Sequence, residues 1–221
     1  MKNIALIPAR GGSKRLAGKN TKLLGGIPLL AHSIRYAQQF PELIDAVYVS
    51  TNDPACKAVA LEFGAQVLDR PNELATDDSP TYTCLQHALL QLENTVKTIC
   101  LLQPTNPLRP ANLMSEAYAV FSQSAATSLF TVSRSHQKLG KISDHCFYPF
   151  NYTVGQRSQD LEPLYFENGL LYITTPAVLT QNLVFSAAAI PFVVEHPFEQ
   201  IDIDTLADFE YAEYMVQKHL R

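Results

Sequence analysis

Apolar residues along this chain fall into two alternating rhythms. Short, nearly continuous apolar runs at residues 3–7, 46–51, 66–68, 98–102 and 128–132 have the length and boundaries of buried strands. Between them lie longer segments in which apolar positions recur every three or four residues, as in an amphipathic helix. In residues 28–40, for example, Leu29, Leu30, Ile34 and Ala37 line one face. Further helices are predicted over 54–63, where Gly64 stops the pattern, and over 82–92 and 111–123. Strands are expected again at 170–173, 192–194 and 201–203, followed by a final amphipathic helix over 206–219. Strand and helix in strict alternation predict an α/β fold with a mostly parallel sheet and helices on both faces.

One stretch breaks the rhythm. Residues 134–141 and 157–163 are mostly polar, and between them stands the aromatic cluster Phe147-Tyr148-Pro149-Phe150-Asn151-Tyr152. Such an excursion, spanning about 134–164, reads either as a dimerisation arm or as a long surface loop. At 221 residues, 47% of them hydrophobic, the chain fits a single domain covering 1–221. No apolar run reaches the roughly 18 residues of a membrane helix, and no signal peptide is legible, so a cytoplasmic setting is expected. Cys56, Cys84, Cys100 and Cys146 are scattered, which predicts reduced packing residues rather than disulfides or a zinc site.

A net charge of −4 argues against a nucleic-acid binder, but the charge is unevenly placed. No acidic residue precedes Glu42, whereas Arg10, Lys14, Arg15, Lys19 and Lys22 crowd one loop after the first strand. That loop also contains Gly11, Gly12 and Gly18. Glycines let successive backbone N–H groups converge on an anion, and the end of the first strand of a parallel sheet is where such folds bind ligands. The pattern points to phosphate. GxGxxG is absent because Gly11-Gly12 has no correctly spaced third glycine, and the Walker A motif is absent because Ser13 and Asn20 occupy positions it reserves for glycine and for serine or threonine.

Near the C-terminus, Asp202-Ile203-Asp204 offers a second chemical signal. On a strand both carboxylates would project to one face and could share a cation, with Ile203 facing inward. Magnesium suits two carboxylates completed by substrate phosphates. A competing reading makes Asp204 the cap of the following helix.

The stretch IPARGGSKRLAGKN resembles the signature of the acylneuraminate cytidylyltransferases, the CMP-sialic acid synthetases. Later blocks RPNELATD, LLQPTNPLR, QDLEPLYFENGLLYIT and IDIDTLADFEYAE are similar to that family's, in the same order. The resemblance implies a Rossmann-like nucleotidyltransferase that joins CMP from CTP to a nine-carbon 2-keto sugar acid and releases pyrophosphate. It implies that Arg10, Gly11, Gly12, Ser13, Lys14, Lys19, Asn20 and Arg70 bind CTP, and that Asp202 and Asp204 hold Mg2+. Arg10, Lys14, Lys19, Asp202 and Asp204 would carry the catalysis. Gln103, Thr105, Tyr172 and Phe185 would address the sugar, joined by Lys138 and Arg157 from the arm of a homodimer. Simpler roles compete at some positions: Asn20 as a turn cap, Thr105 as a turn residue, Tyr172 in the core, Lys138 and Arg157 as solvated surface. Only one aromatic, Phe185, follows the NGxxY block, where neuraminate-specific members show a pair, so the sugar's identity stays open. The alternatives are an eight-carbon lipopolysaccharide acid as substrate, a DxD glycosyltransferase, and an inactive nucleotide-binding module.

Overall fold

A computed structural model describes residues 1–93 and 95–219. The first strand, β1 (Lys2–Pro8), is apolar on both sides because both sides are covered: Ala5 and Ile7 enter one core cluster, Ile4 and Leu6 another. After the basic loop come a small hairpin, β2 (Leu23–Leu24) and β3 (Ile27–Pro28), and helix α1 (Leu29–Gln38). Then follow β4 (Ala46–Thr51), α2 (Pro54–Glu62), β5 (Gln66–Asp69), α3 (Thr81–Gln91) and β6 (Val96–Leu101). Helix α2 shows how local sequence sets these bounds. Pro54 occupies its first turn, and the Asp53 carboxylate accepts hydrogen bonds from the N–H groups of Ala55 (2.7 Å) and Cys56 (3.3 Å). Gly64 at φ +77° ends it.

The second half contributes α4 (Leu113–Ser122), β7 (Ser128–Ser135), the hairpin β8 (Gly140–Ser143) and β9 (Cys146–Pro149), then β10 (Leu164–Thr174). A short helix α5 (Pro176–Leu179), β11 (Ile190–Val193) and the long α6 (Leu206–His219) complete the chain. Seven strands form one sheet in the order β11-β7-β10-β6-β1-β4-β5. All pair in parallel except β10, which runs antiparallel to both β6 and β7. Residues of α1, α2 and α4 pack on one face, those of α3 and α5 on the other. A third cluster holds α6 against Leu24, Leu29 and Leu108. The expected mostly parallel, doubly covered sheet is therefore observed.

Two expectations need correction. Residues 201–203 are not a strand of the sheet. Ile201 and Ile203 are buried in the α6 cluster, and the Ile203 N–H donates to the Thr105 carbonyl (2.8 Å). The alternation of inward and outward residues survives, but no neighbouring strand is available to build a ladder. The excursion is also slightly shorter than predicted, because Ser135 and Leu164 still pair across β7 and β10. Between them the β8–β9 hairpin projects with every residue exposed. No helix among the described residues is long and apolar enough to cross a membrane.

Candidate active site

Connections from β1 lead toward β4 and β5, while β6 lies on β1's other side. Where the order reverses, the loops after adjacent strands part and leave a crevice. A cleft of about 200 Å³ opens there, lined by Pro8 at the end of β1 and Arg10 just after it, Gln103 and Thr105 after β6, Arg70 after β5, and Asp77.

The basic loop folds back on itself above this cleft. The Asn20 amide donates to the Arg10 carbonyl (3.0 Å), bracing the two ends of the loop. Gly11 donates its N–H to the Asn52 side chain (3.0 Å), and a Cβ at Gly11 would lie 2.9 Å from an Asp53 oxygen. Gly11 is thus required for close passage over the end of β4, and its N–H is already engaged. Gly12 takes φ +71°. Gly11, Gly12, Ser13, Lys19 and Asn20 surround a small hollow beside Cys56.

Four cations of the loop are held by just two carboxylates. Asp77 bridges Arg10 and Lys14, each at 2.5 Å, and Asp204 bridges Arg15 (2.9 Å) and Lys19 (3.0 Å). Lys14, then Arg10, hold the Asp77 carboxyl below its ordinary range, and Asp77 in turn raises Lys14. Lys19 is the most enclosed cation of the four, and it also donates to the Ile203 carbonyl (2.8 Å). The loop and the Asp202–Asp204 segment, 184 residues apart in sequence, are therefore joined at one lysine.

Helix capping does not explain Asp204. Thr205 and Asp208 form a reciprocal capping box on α6. The Asp208 carboxylate accepts from the N–H groups of Thr205 (2.7 Å) and Asp204 (3.0 Å), while the Asp208 N–H donates to the Thr205 hydroxyl (3.3 Å). Asp204's side chain is left to face the loop cations. Asp202 lies on the other side of Ile203, its carboxyl pushed up by burial and by the charge of Asp204, with the Thr105 hydroxyl working against that rise.

Two buried residues of the β6 loop fix this arrangement. Asn106 donates to both the Asn168 carbonyl (3.0 Å) and the Ile201 carbonyl (3.0 Å), tying β10 to the residue before Asp202. Arg109 is buried and has no carboxylate partner among the described residues. It donates to the carbonyls of Leu170 (2.6 Å) and Gln103 (2.9 Å) and to the Ser33 hydroxyl (3.0 Å), lies over the Tyr36 ring, and is lowered by burial to about 10. Neither residue stands out by sequence pattern, since each sits in a turn-like PTNPLR stretch. The Thr205-x-x-Asp208 spacing, in contrast, was a legible capping signal.

Of the other expected site residues, Arg70 is buried in the lining of the cleft, with Nε and Nη2 lacking a partner among the described residues. A buried guanidinium with idle donors beside an open cleft is suited to a ligand's acceptors. Gln103 and Thr105 line the cleft. Tyr172 is buried and donates to Glu167 (3.2 Å). Burial, then Glu167, raises its phenol. Phe185 stacks on Phe130 (centroids 4.2 Å apart) and stands behind Tyr172, forming a wall. Lys138 and Arg157 are not brought to the cleft within this chain: Lys138 donates to the Gln156 carbonyl, and Arg157 pairs with Asp160 at 2.7 Å, both inside the arm. All four cysteines are free thiols, three of them buried.

Residues 4–220 match the cytidylyltransferase family model. The chain is 32% identical to an N-acylneuraminate cytidylyltransferase of Escherichia coli across 100% of its own length, and it spans about half (53%) of that relative. It is 34% identical to the CMP-N,N'-diacetyllegionaminic acid synthase of Legionella pneumophila, covering 98% of this chain and 97% of that one. Against the pseudaminic acid cytidylyltransferase of Campylobacter jejuni the identity is 32%, with 97% and 96% covered. Among solved structures, a CMP:2-keto-3-deoxy-manno-octonic acid synthetase complexed with CTP superposes with TM-score 0.75 at 18% identity, each chain 99% covered. A 4-diphosphocytidyl-2C-methyl-D-erythritol synthase from Anaerococcus prevotii gives 0.69 at 13%, each 98% covered. The last two speak for the fold.

Proposed function

This chain belongs to the cytidylyltransferase family, and from that premise we propose that it transfers CMP from CTP to the anomeric hydroxyl of a nine-carbon 2-keto sugar acid, releasing pyrophosphate. The observation that carries the reading is the cation loop at the switch-point cleft. Arg10, which lines the crevice, stands in one loop with Lys14, Arg15 and Lys19, each paired with a carboxylate, Asp77 or Asp204, that a triphosphate can replace. No such concentration is needed to bind a neutral sugar or a nucleotide-sugar. The names of the relatives above support the sugar acid as acceptor.

In this scheme Arg10, Lys14 and Lys19 bind the β- and γ-phosphates and neutralise the charge that grows on departing pyrophosphate. Arg70 presents its idle donors to the cytosine. Tyr172, backed by Phe185, forms the wall of the sugar site, with Gln103 and Thr105 between sugar and nucleotide. Asp202 and Asp204 supply hard oxygen ligands, and two carboxylates separated by one residue suit Mg2+. No cluster of three or more His, Cys, Asp or Glu side chains that could hold a metal occurs among the described residues, so phosphate oxygens would complete the coordination. When bound, Mg2+ would polarise the α-phosphate for in-line attack. A homodimer belongs to the same reading. Ile142, Phe147, Tyr148 and Phe150 of the arm are all more than half exposed, an apolar surface that a second copy would cover. The cytoplasmic setting follows the same expectation.

The test is pyrophosphate release by the purified protein, with each of the four ribonucleoside triphosphates against a panel of eight- and nine-carbon 2-keto sugar acids. Turnover is expected only with CTP, and fastest with a nine-carbon acid. Comparable rates with all four triphosphates, or none with any acid, would overturn it.

A further inference from the structure

Strand β10 is the one antiparallel member of the sheet, and its register is broken in the middle. Glu167 pairs with Val132 of β7, and Tyr172 pairs with Phe130. Five steps along β10 are thus matched by only two along β7, and the surplus is taken up by a bulge over Asn168–Leu171. In an uninterrupted strand, residues five apart point to opposite faces. Directly opposed residues of an antiparallel pair point to the same face, and Val132 and Phe130 are two apart, so the bulge places Glu167 and Tyr172 on one face.

Their contact follows from that parity change. The Tyr172 hydroxyl donates to Glu167 Oε2 at 3.2 Å, although the Glu167 side chain is exposed. The bulge itself is firmly built. The Asn168 side chain turns inward to accept from the Thr131 hydroxyl (2.6 Å) and donate to the Ser133 hydroxyl (2.8 Å). Gly169 adopts φ +73°, and a Cβ there would fall 2.6 Å from Asn106 Oδ1 and 3.1 Å from Gln103 Oε1. Buried polar groups this completely paired hold a single arrangement. The bulge thus sets one exposed carboxylate on the Tyr172 hydroxyl, while Gly169 of the same bulge passes against Gln103, a residue that lines the cleft.

We propose that Glu167 is a specificity-determining residue that accepts hydrogen bonds from the sugar acid, from a ring hydroxyl or an acylamino N–H, through the carboxylate oxygen not engaged by Tyr172. This inference rests on the sugar-acid reading of the site. Because the substrate is itself an anion, a second carboxylate nearby is repulsive unless it meets donor groups. Glu167 therefore selects acids that offer a donor at that position and disfavours those that lack one.

The experiment compares wild type with Glu167→Gln and Glu167→Ala, using the acid that the wild type turns over best, its deoxy analogues, and its analogue lacking the acylamino group. CTP affinity by calorimetry and thermal midpoint serve as controls: the midpoint should hold in Glu167→Gln, whose amide oxygen still accepts from Tyr172, and fall modestly in Glu167→Ala, while CTP affinity should stay at the wild-type value in both. For the full acid, KM should rise roughly tenfold or more in Glu167→Ala, with a smaller rise in Glu167→Gln, as expected for loss of hydrogen bonds to a charged acceptor. For the one analogue that lacks the group Glu167 contacts, wild type and variants should converge. Unchanged KM for every acid, or an equal loss on every analogue, would overturn the assignment while leaving the transfer reaction in place. Absence of turnover with any acid by the wild type would overturn both.

Discussion

Replacing Asp208 by alanine should destabilise the protein without disabling it, whereas Asp204→Asn should do the reverse. In the folded chain the Asp208 carboxylate accepts from the Asp204 N–H (3.0 Å), the Thr205 N–H (2.7 Å) and the Thr205 hydroxyl (2.8 Å), satisfying donors at the start of α6. Loss of such a cap costs about 1 kcal/mol, and removal of a negative charge from a helix N-terminus adds about 0.5 kcal/mol. For a domain of this size that lowers the thermal midpoint by about 3–6 °C. The effect should depend on pH. Asp208 is held below its ordinary value of 3.8, first by the Thr205 hydroxyl, so its contribution is complete above that value and is lost as pH falls through the lower folded-state value. Wild type and Asp208→Ala should accordingly converge in strong acid. Asp204→Asn keeps the cap, leaves the midpoint nearly unchanged, and removes the charge facing Lys19 and Arg15, with turnover falling roughly a hundredfold. Calorimetry across pH and pyrophosphate release on the same two variants make the comparison. A midpoint that drops in Asp204→Asn and holds in Asp208→Ala would refute the assignment of cap and ligand.

Two further outcomes are expected. Gly169→Ala forces a side chain into left-handed backbone and against Asn106, and should cost about 2–3 kcal/mol, read as a shift in urea midpoint with unchanged slope; wild-type stability would mean that the bulge is free to rearrange. Lys19→Ala and Arg157→Ala homodimers should each be nearly inactive, and mixing them should restore activity if the arm of one protomer completes the site of the other; a mixture as inactive as its parents would return Arg157 to its local pair with Asp160.

Much of this molecule is legible in one dimension because its signals are periodic or local. The period-two and period-3.6 patterns decide strands and helices, as at Ala46–Thr51, where the expected and observed bounds coincide. Gly11, Gly12, Lys14 and Lys19 stand out in sequence because charge and backbone freedom are concentrated within a dozen residues. What the chain could not reveal by itself depends on contacts between distant segments. Residues 201–203 carry the alternation of a strand, but whether a ladder forms depends on a neighbour, and here Thr105 offers a single carbonyl instead. Asp204 could be read from sequence as a cap as well as a ligand, and only the folded chain shows Thr205 and Asp208 closing the capping box without it. Asn106, Arg109 and Glu167 acquire their meaning only in the folded sheet: the first two because their partners on β10 lie about 60 residues away, the third because a bulge in β10 reverses the face on which its carboxylate stands. Pattern determines which face each residue of an element presents, but register and burial decide what meets it there.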